Sequence, residues 1–379
     1  MQFVTSRSEA LDKLNKYIEN DISNYNTKRN FDFGVNNRKN VSCLSPYITH
    51  RLITEYETAK MVLKKHPFQK VDKYIQEIFW RIYWKGWLEL RPKVWSDFIE
   101  DLKSIEEDEI YLKAIKGETE IECFNDWVKE LKEYNYLHNH TRMLFASIWI
   151  FTLGLPWQKG AEFFMKYLFD GDAASNTLSW RWVAGIQTKG KNYLAQSWNI
   201  SKFTNNKYKN IKLNETASPI QDKRDYGISP IQINKTDQKN EHLIVFDNEM
   251  HVESFDLKKY KKISFFLMDN EIRSIKLDSK VLEFKRKIIT SQLNKDEFES
   301  EILEEKGFKN IIEKTKNFDV VYPSIGENFS FLKKVIKKNN LNINFITREE
   351  DEFCWKFSNK GYFNFKTNIP IILSTFKLN

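Results

Sequence analysis

The chain has 379 residues, 41% of them hydrophobic and 15% aromatic, enough for two domains or one large one with a real core. A net charge of +8, from 60 basic and 52 acidic residues, suits a polyanionic partner, although a lysine-rich composition alone also produces it. The three cysteines (Cys43, Cys123 and Cys354) are widely scattered, which excludes a CxxC-built zinc or iron–sulfur site and fits free thiols in a reducing compartment.

In chain order, residues 6–24 show helical periodicity, and a polar stretch follows to about Asn40. The start has no apolar core of a secretory signal, so the reading is cytoplasmic. Helical patterns then fill 46–65, 70–87, 92–103, 107–116, 123–134, 138–154, 157–169 and 172–185. The longest apolar run, Met143 to Trp157, is too short to cross a bilayer and reads as a buried helix, so no membrane is expected. Ten of the 11 Trp lie at or before Trp198, which argues for two regions with different interiors. From 204 to 240 periodicity is lost, and the composition predicts an extended connection. After His242 short apolar runs typical of buried strands appear at 242–247, 263–268, 319–322 and 343–346, with helical stretches at 279–293, 296–306 and 327–338 between them. The expected organisation is a helical domain over 1–203, a connection over 204–240 and a smaller α/β domain with a mainly parallel sheet over 241–379. That last part has no GxGxxG and no GxxxxGK[ST] loop.

Four segments of the helical part carry candidate chemistry. Val41-Ser42-Cys43-Leu44-Ser45-Pro46-Tyr47 offers hydroxyls and backbone N–H groups at a helix start, and by itself reads equally as a Ser cap before Pro. Gln76-Glu77-Ile78-Phe79-Trp80-Arg81-Ile82-Tyr83 puts Glu77, Trp80, Arg81 and Trp84 on one helical face. In His138-Asn139-His140-Thr141-Arg142-Met143, the residues Asn139, Arg142 and Met143 share a face. Asp170-Gly171-Asp172-Ala173-Ala174-Ser175-Asn176 leads into Trp180-Arg181-Trp182 and aligns Asp172, Asn176 and Trp180. An acidic turn before a helix can bind a divalent cation, but the alternating oxygen ligands are missing here, so no metal site is expected. Charged and amide groups on otherwise apolar helices are expensive to bury without a partner.

Taken in this order, the segments resemble the DNA photolyase/cryptochrome family over about Tyr25 to Tyr193. The resemblance implies a mainly α, FAD-binding helical domain of photolyase type. It implies that Tyr25, Ser42, Leu44, Ser45, Arg81, Asn139, Arg142, Asp170, Asp172 and Asn176 hold FAD, which is active in its reduced form. Arg142 and Asp170 would pair beside the flavin ring, and Asn176 would face flavin N5. It implies that Trp80 and Trp182 clamp a flipped cyclobutane pyrimidine dimer, with Glu77, Asn139 and Met143 beside it. His138 and His140 are separated by Asn139 and followed by Met143, the cyclobutane-dimer pattern rather than the (6-4) pattern. The implied activity is a light-driven carbon–carbon lyase for ultraviolet-damaged DNA, single- or double-stranded, acting as a monomer. Excited reduced FAD gives an electron to the dimer, the ring opens and the electron returns. Glu77, Asn176, Trp157 and Trp180 are the implied catalytic set, with Glu77 stabilising the dimer radical anion and Trp180 and Trp157 serving flavin photoreduction.

The chain departs from the family in places. Val41 stands where the family has Thr, and His140 replaces a frequent Arg. No Trp is found at the outer position of the electron chain, between about Leu102 and Tyr111; Trp95, Trp149 and Tyr111 are the substitutes at hand. The segment from Gly117 to Asn125 is unusually acidic, and the α/β part lies downstream instead of upstream. Lacking a phosphate loop or ligand cluster, that part is not expected to hold an antenna chromophore, and its aromatic tail reads as packing. A blue-light receptor of cryptochrome type without repair activity is the alternative, and a flavin-free nucleic-acid-binding remnant is a third reading.

Overall fold

The computed structural model describes residues 2–236, 240–293, 298–314 and 317–378. The helical part begins with α1 (Arg7–Asn20), α2 (Tyr25–Lys28), α3 (Ser45–Thr49) and α4 (Glu55–Lys65). It continues with α5 (Phe68–Glu89), α6 (Lys93–Leu102), α7 (Glu109–Lys116) and α8 (Glu122–Tyr134). It closes with α9 (Asn139–Ser147), α10 (Trp157–Tyr167), α11 (Ala173–Val183) and α12 (Ser197–Phe203). Local chemistry sets several of these starts. Thr54 caps α4 by accepting from the Glu57 N–H at 3.0 Å, and Asp172 caps α11 by accepting from the Ser175 N–H at 2.6 Å.

Two helices predicted as continuous are interrupted. The run 46–65 breaks between α3 and α4, where Arg51 adopts φ 48°, a left-handed conformation uncommon for a residue with a side chain. The run 138–154 is α9 followed by a π turn at Ile148–Thr152, in which the Leu153 N–H reaches the Ile148 carbonyl.

The stretch 204–236 contains neither helix nor strand and lies along the helical part. The Ile220 N–H bonds the Ala184 carbonyl, the Ser229 N–H bonds the Leu90 carbonyl, and Arg224 pairs with Asp101 at 2.9 Å. These contacts anchor it to the helical part without a strand ladder.

Five parallel strands follow: β1 (His242–Phe246), β2 (Lys262–Phe266), β3 (Glu299–Leu303), β4 (Asp319–Val321) and β5 (Asn344–Ile346), in the order β3-β2-β1-β4-β5. With them come α13 (Ser279–Thr290), α14 (Glu305–Lys314) and α15 (Glu327–Asn339). The helix expected over 296–306 is instead β3 over its described residues, and residues 296–297 lie outside the described set. Its Glu-rich sequence imitates a helix, but as an edge strand it leaves Glu299 and Glu301 to pair with Lys262 of β2 at 3.0 and 3.1 Å.

The sheet is buried on both faces. Leu243, Val245, Ile263 and Phe265 join the helical core, while Ile244, Phe246, Phe266 and Phe308 form a second cluster with Leu332. The chain ends in α16 (Glu349–Trp355), α17 (Tyr362–Lys366) and α18 (Ile369–Thr375). Of these, α16 and α17 pack on α5 of the helical part. A buried ion network ties the parts together. Arg51, 1% exposed, grips Asp351 through two bonds of 2.6 and 2.8 Å and reaches Glu249 at 2.9 Å. The Glu89 carboxylate accepts from the Tyr322 hydroxyl at 2.7 Å and the Ile325 N–H at 2.8 Å.

Candidate functional site

Most of the implied flavin and lesion residues fall on α5, α9 and α11 or at their ends, whereas Tyr25 is on α2 and Ser42, Leu44 and Ser45 lie at the start of α3. α11 packs against both α5 and α9, so the faces bearing Trp80–Arg81, Asn139–Met143 and Asp172–Trp182 belong to one assembly. Ser42, Ser45, Glu77, Trp80, Arg81, Arg142, Met143, Asp172 and Trp182 are half-buried, Asn139 is exposed, and Leu44 and Asn176 are buried. Polar residues held in this intermediate state are what a recess requires.

On the flavin side, Arg142 pairs with Asp170 at 2.9 Å, and its Nε donates to the Leu137 carbonyl at 2.9 Å. Its guanidinium lies over the Tyr136 ring, 5.1 Å from the centroid. The Ser45 hydroxyl donates to the same Asp170 oxygen, and Arg81 donates to the Thr49 hydroxyl. Burial pushes the Asp172 carboxyl up, but Arg81 and Lys85, with the Ser175 bonds, bring it below its usual value. Asp172 is therefore a carboxylate at neutral pH. The Asn176 amide donates to the Ala161 carbonyl at 2.8 Å, which fixes the side chain and directs its own carbonyl away from that bond. Asp170 Oδ1, Arg81 Nε and Ser175 Oγ are buried without a hydrogen-bond partner. Unpaired buried groups of both signs, beside a fixed amide carbonyl, fit the polar edge and ribityl-diphosphate chain of FAD. Tyr25, on α2, lies against α5, edge-on to Tyr74 at 5.0 Å and near Glu77.

On the lesion side, each of the two half-buried tryptophans has one face covered by a tyrosine. Tyr362 stacks on Trp80 with centroids 3.4 Å apart and planes 11° apart, and its hydroxyl donates to the Gln76 carbonyl at 2.7 Å. Tyr193 stacks on Trp182 at 5.7 Å and 28°, and its hydroxyl lies 3.2 Å from His140 Nε2. Burial pushes the Glu77 carboxyl up, against the pull of Arg29 and Lys73.

The implied electron residues are placed differently from one another. Among the described residues, the aromatic rings touching Trp180 are Phe145, Trp149 and Phe164, with Trp149 at 6.2 Å, and Tyr111 touches Trp149 at 5.9 Å. Trp157 stacks on Phe98 at 5.5 Å instead. Gly160 makes the Trp180–Trp149 contact possible: a Cβ there would fall 2.2 Å from the Trp180 ring and 3.0 Å from Trp149 Nε1.

Sequence reasoning missed Thr49, Lys85, Ser175, Tyr136 and Tyr362. Lys85 had a signal, since it lies one turn beyond Arg81 on an apolar helix. Tyr362 had none, because its contact with Trp80 spans most of the chain. Among the described residues, no group of His, Cys, Asp and Glu is arranged to hold a metal ion. None of the helices is long and apolar enough to cross a membrane.

A second concavity of about 70 Å³ opens beyond the carboxyl ends of β1 and β4, where the strand order reverses. Asp172, Lys85 and Glu89 of the helical part meet Asp247, Arg273 and Lys285 there. Lys285 pairs with Asp247 at 2.8 Å.

Comparison with known proteins bears on the helical part. Residues 74–213 match the family model described as the FAD binding domain of DNA photolyase. Over these residues the chain is similar to the photolyase/cryptochrome family. It is 28% identical over 195 residues to the deoxyribodipyrimidine photo-lyase of Buchnera aphidicola subsp. Baizongia pistaciae, which covers 48% of this chain and 39% of that protein. It is 31% identical over 184 residues to the deoxyribodipyrimidine photo-lyase of Agrobacterium fabrum, which covers 46% of this chain and 37% of that protein. The chain thus spans about two fifths of the length of these relatives. A class III photolyase structure from Agrobacterium tumefaciens aligns with TM-score 0.46 and 25% identity over 53% of this chain and 43% of that one. A Synechocystis cryptochrome structure aligns with TM-score 0.48 and 21% identity over 54% and 44%.

Proposed function

We propose that the protein is a light-dependent lyase that splits cyclobutane pyrimidine dimers in ultraviolet-damaged DNA. The observation that carries this reading is the pair Trp80 and Trp182, half-buried on adjacent helices and each backed by a tyrosine on one face. A tryptophan held from behind keeps its other face for a flat ligand. A base stacked on an aromatic face contributes roughly 1–3 kcal/mol, which offsets the extrusion of a dimer that stacks poorly in its duplex.

FAD, bound in its reduced form, supplies the light-excited electron donor. The residues around it bind, orient and hold protons. Arg81 and the Ser42–Ser45 loop would hold its diphosphate, Arg142 with Asp170 its ring and Asp172 its ribityl edge, and the Asn176 carbonyl would accept a hydrogen bond from it. Asn139 bridges the two ligands. Glu77, its carboxyl pushed up by burial against the pull of Arg29 and Lys73, is the acid placed to hydrogen-bond a pyrimidine of the dimer. Met143 packs beside the dimer as an adaptable apolar contact.

The test is illumination of the FAD-loaded protein with an oligonucleotide carrying one dimer. Loss of dimer in the light and none in the dark is expected. Binding without loss would reject repair and leave the light-receptor alternative. Trp182→Ala should weaken dimer binding about tenfold, one lost base stack, with flavin content unchanged. Loss of flavin in that variant would mean that Trp182 belongs to the cofactor pocket.

A further inference from the structure

Residues 353–379 contain Lys356, Lys360, Lys366 and Lys377 and no Asp or Glu. Within this segment Phe363 is 81% exposed, the most exposed of the large apolar side chains among the described residues. A lone exposed phenylalanine is ordinary. This one is not on a frayed end, because α17 is fixed on every side. The Tyr83 hydroxyl donates to the Lys360 carbonyl at 3.0 Å, Arg91 Nη2 donates to the Asn359 carbonyl at 2.8 Å, and Phe365 is fully buried. Tyr362, the ring behind Trp80, lies 6.3 Å from Phe363, so the exposed ring stands two ring contacts from the lesion clamp. Lys73, one turn before Glu77 on α5, and Arg29, just after α2 and 4.0 Å from Glu77, add positive charge beside it.

We infer that α17 is a DNA-reading element, in which Phe363 enters the duplex beside the extruded dimer while the neighbouring lysines meet flanking phosphates. This rests on the repair reading. A dimer taken out of a duplex leaves an unstacked gap, and an apolar wedge from a fixed element refills it. Charge complementarity favours nucleic acid over a protein partner for a segment with four lysines and no acid. A single strand has no such gap, so the wedge acts on duplex only.

The experiment compares the FAD-loaded wild type, Phe363→Ala and Phe363→Tyr on three labelled DNAs: a duplex with one dimer, the same dimer in a single strand, and an undamaged duplex. Phe363 is exposed, so the fold tolerates both changes, and flavin absorbance confirms it. Phe363→Ala should lose about tenfold on the damaged duplex and less than about twofold on the single strand, and Phe363→Tyr should bind like wild type. Equal duplex affinities for wild type and Phe363→Ala, or the same loss on both dimer substrates, would overturn the wedge and leave the repair reading standing. A wild type that does not distinguish damaged from undamaged duplex would overturn the repair reading and the wedge with it.

Discussion

Arg51→Met should be among the most destabilising single changes in the chain. Arg51 is buried with three carboxylates: Asp351 at 2.6 Å, Glu249 at 2.9 Å and Glu55 at 3.4 Å. Two of them keep another cation, since Arg348 lies 3.1 Å from Glu249 and Arg81 lies 3.9 Å from Glu55. Asp351 keeps only the Tyr56 hydroxyl at 3.1 Å as a direct partner. The loss is therefore close to that of one uncompensated buried carboxylate, about 3–5 kcal/mol. Urea unfolding followed by helix circular dichroism and tryptophan fluorescence reads it. Because Arg51 joins the helical part to Asp351 and Glu249 near the other end of the chain, the two probes should also separate in the variant. Arg51→Met with Asp351→Leu should regain at least half of the loss, since an apolar pair replaces a buried ion pair at little expense. Burial pushes the Asp351 carboxyl up, and Arg51, with Lys85 and Arg348, pulls it below the usual range. Its contribution is thus present above the ordinary carboxylate pKa and is lost as pH falls through the lower folded value. The gap between wild type and Arg51→Met should narrow below about pH 4. A loss under about 1 kcal/mol, or a double variant no better than the single one, would refute the reasoning.

Gly160→Ala should lower stability by about 1–3 kcal/mol in denaturant unfolding despite the better helix propensity of Ala, because its Cβ overlaps the Trp180 ring; unchanged stability would mean that the ring moves freely. Burial pushes the Glu89 carboxyl from 4.5 to about 7 against the hydrogen bonds from Ile325 and Tyr322. The folded state then holds a proton that the unfolded chain releases, so this group's contribution is present at pH 4 and lost as pH rises through 7, by about 3 kcal/mol in all. Wild type should fall relative to Glu89→Gln between pH 5 and pH 8 in urea titrations, and parallel pH profiles would reject the shift.

The helices were legible because each apolar face repeats at helical spacing and several carry their own caps, as at Thr54 and Asp172. β1, β2, β4 and β5 were legible because a strand buried on both faces is a bare apolar run. β3 was not, since all but its last residue are exposed or half-buried and its glutamates find Lys262 only across the sheet. The break at Arg51 was also hidden. It comes from a partner three hundred residues away, Asp351, which holds the side chain while the backbone turns left-handed. In the site, motif spacing brought Glu77, Trp80 and Arg81 onto one face, and Asn139, Arg142 and Met143 onto another. What closes around those faces was not local: Thr49 against Arg81, Tyr193 behind Trp182, and Tyr362 behind Trp80. The resemblance paired Trp180 with Trp157, but ring packing pairs it with Trp149, because Gly160 leaves room on that side.

One stripe of α5 links these features. Glu77, Trp80, Arg81, Lys85 and Glu89 recur at helical spacing along a single side. Going along it, Glu77 meets Arg29, Trp80 meets Tyr362, Arg81 meets Thr49 and Glu55, and Glu89 meets Tyr322 of the α/β part. The residues proposed for the lesion, those proposed for the flavin and the charged cavity beyond the sheet therefore lie on successive turns of one helix. Glu77 and Glu89 are about 18 Å apart along it at 1.5 Å per residue. The α/β part and the C-terminal helices bear on α5 through packing: Tyr322 meets Glu89, and Tyr362 supplies the back of Trp80. A helical part cut off before α16 would keep its motif residues and lose the ring that backs Trp80, so the downstream half supports the face on which the proposed lesion contacts stand.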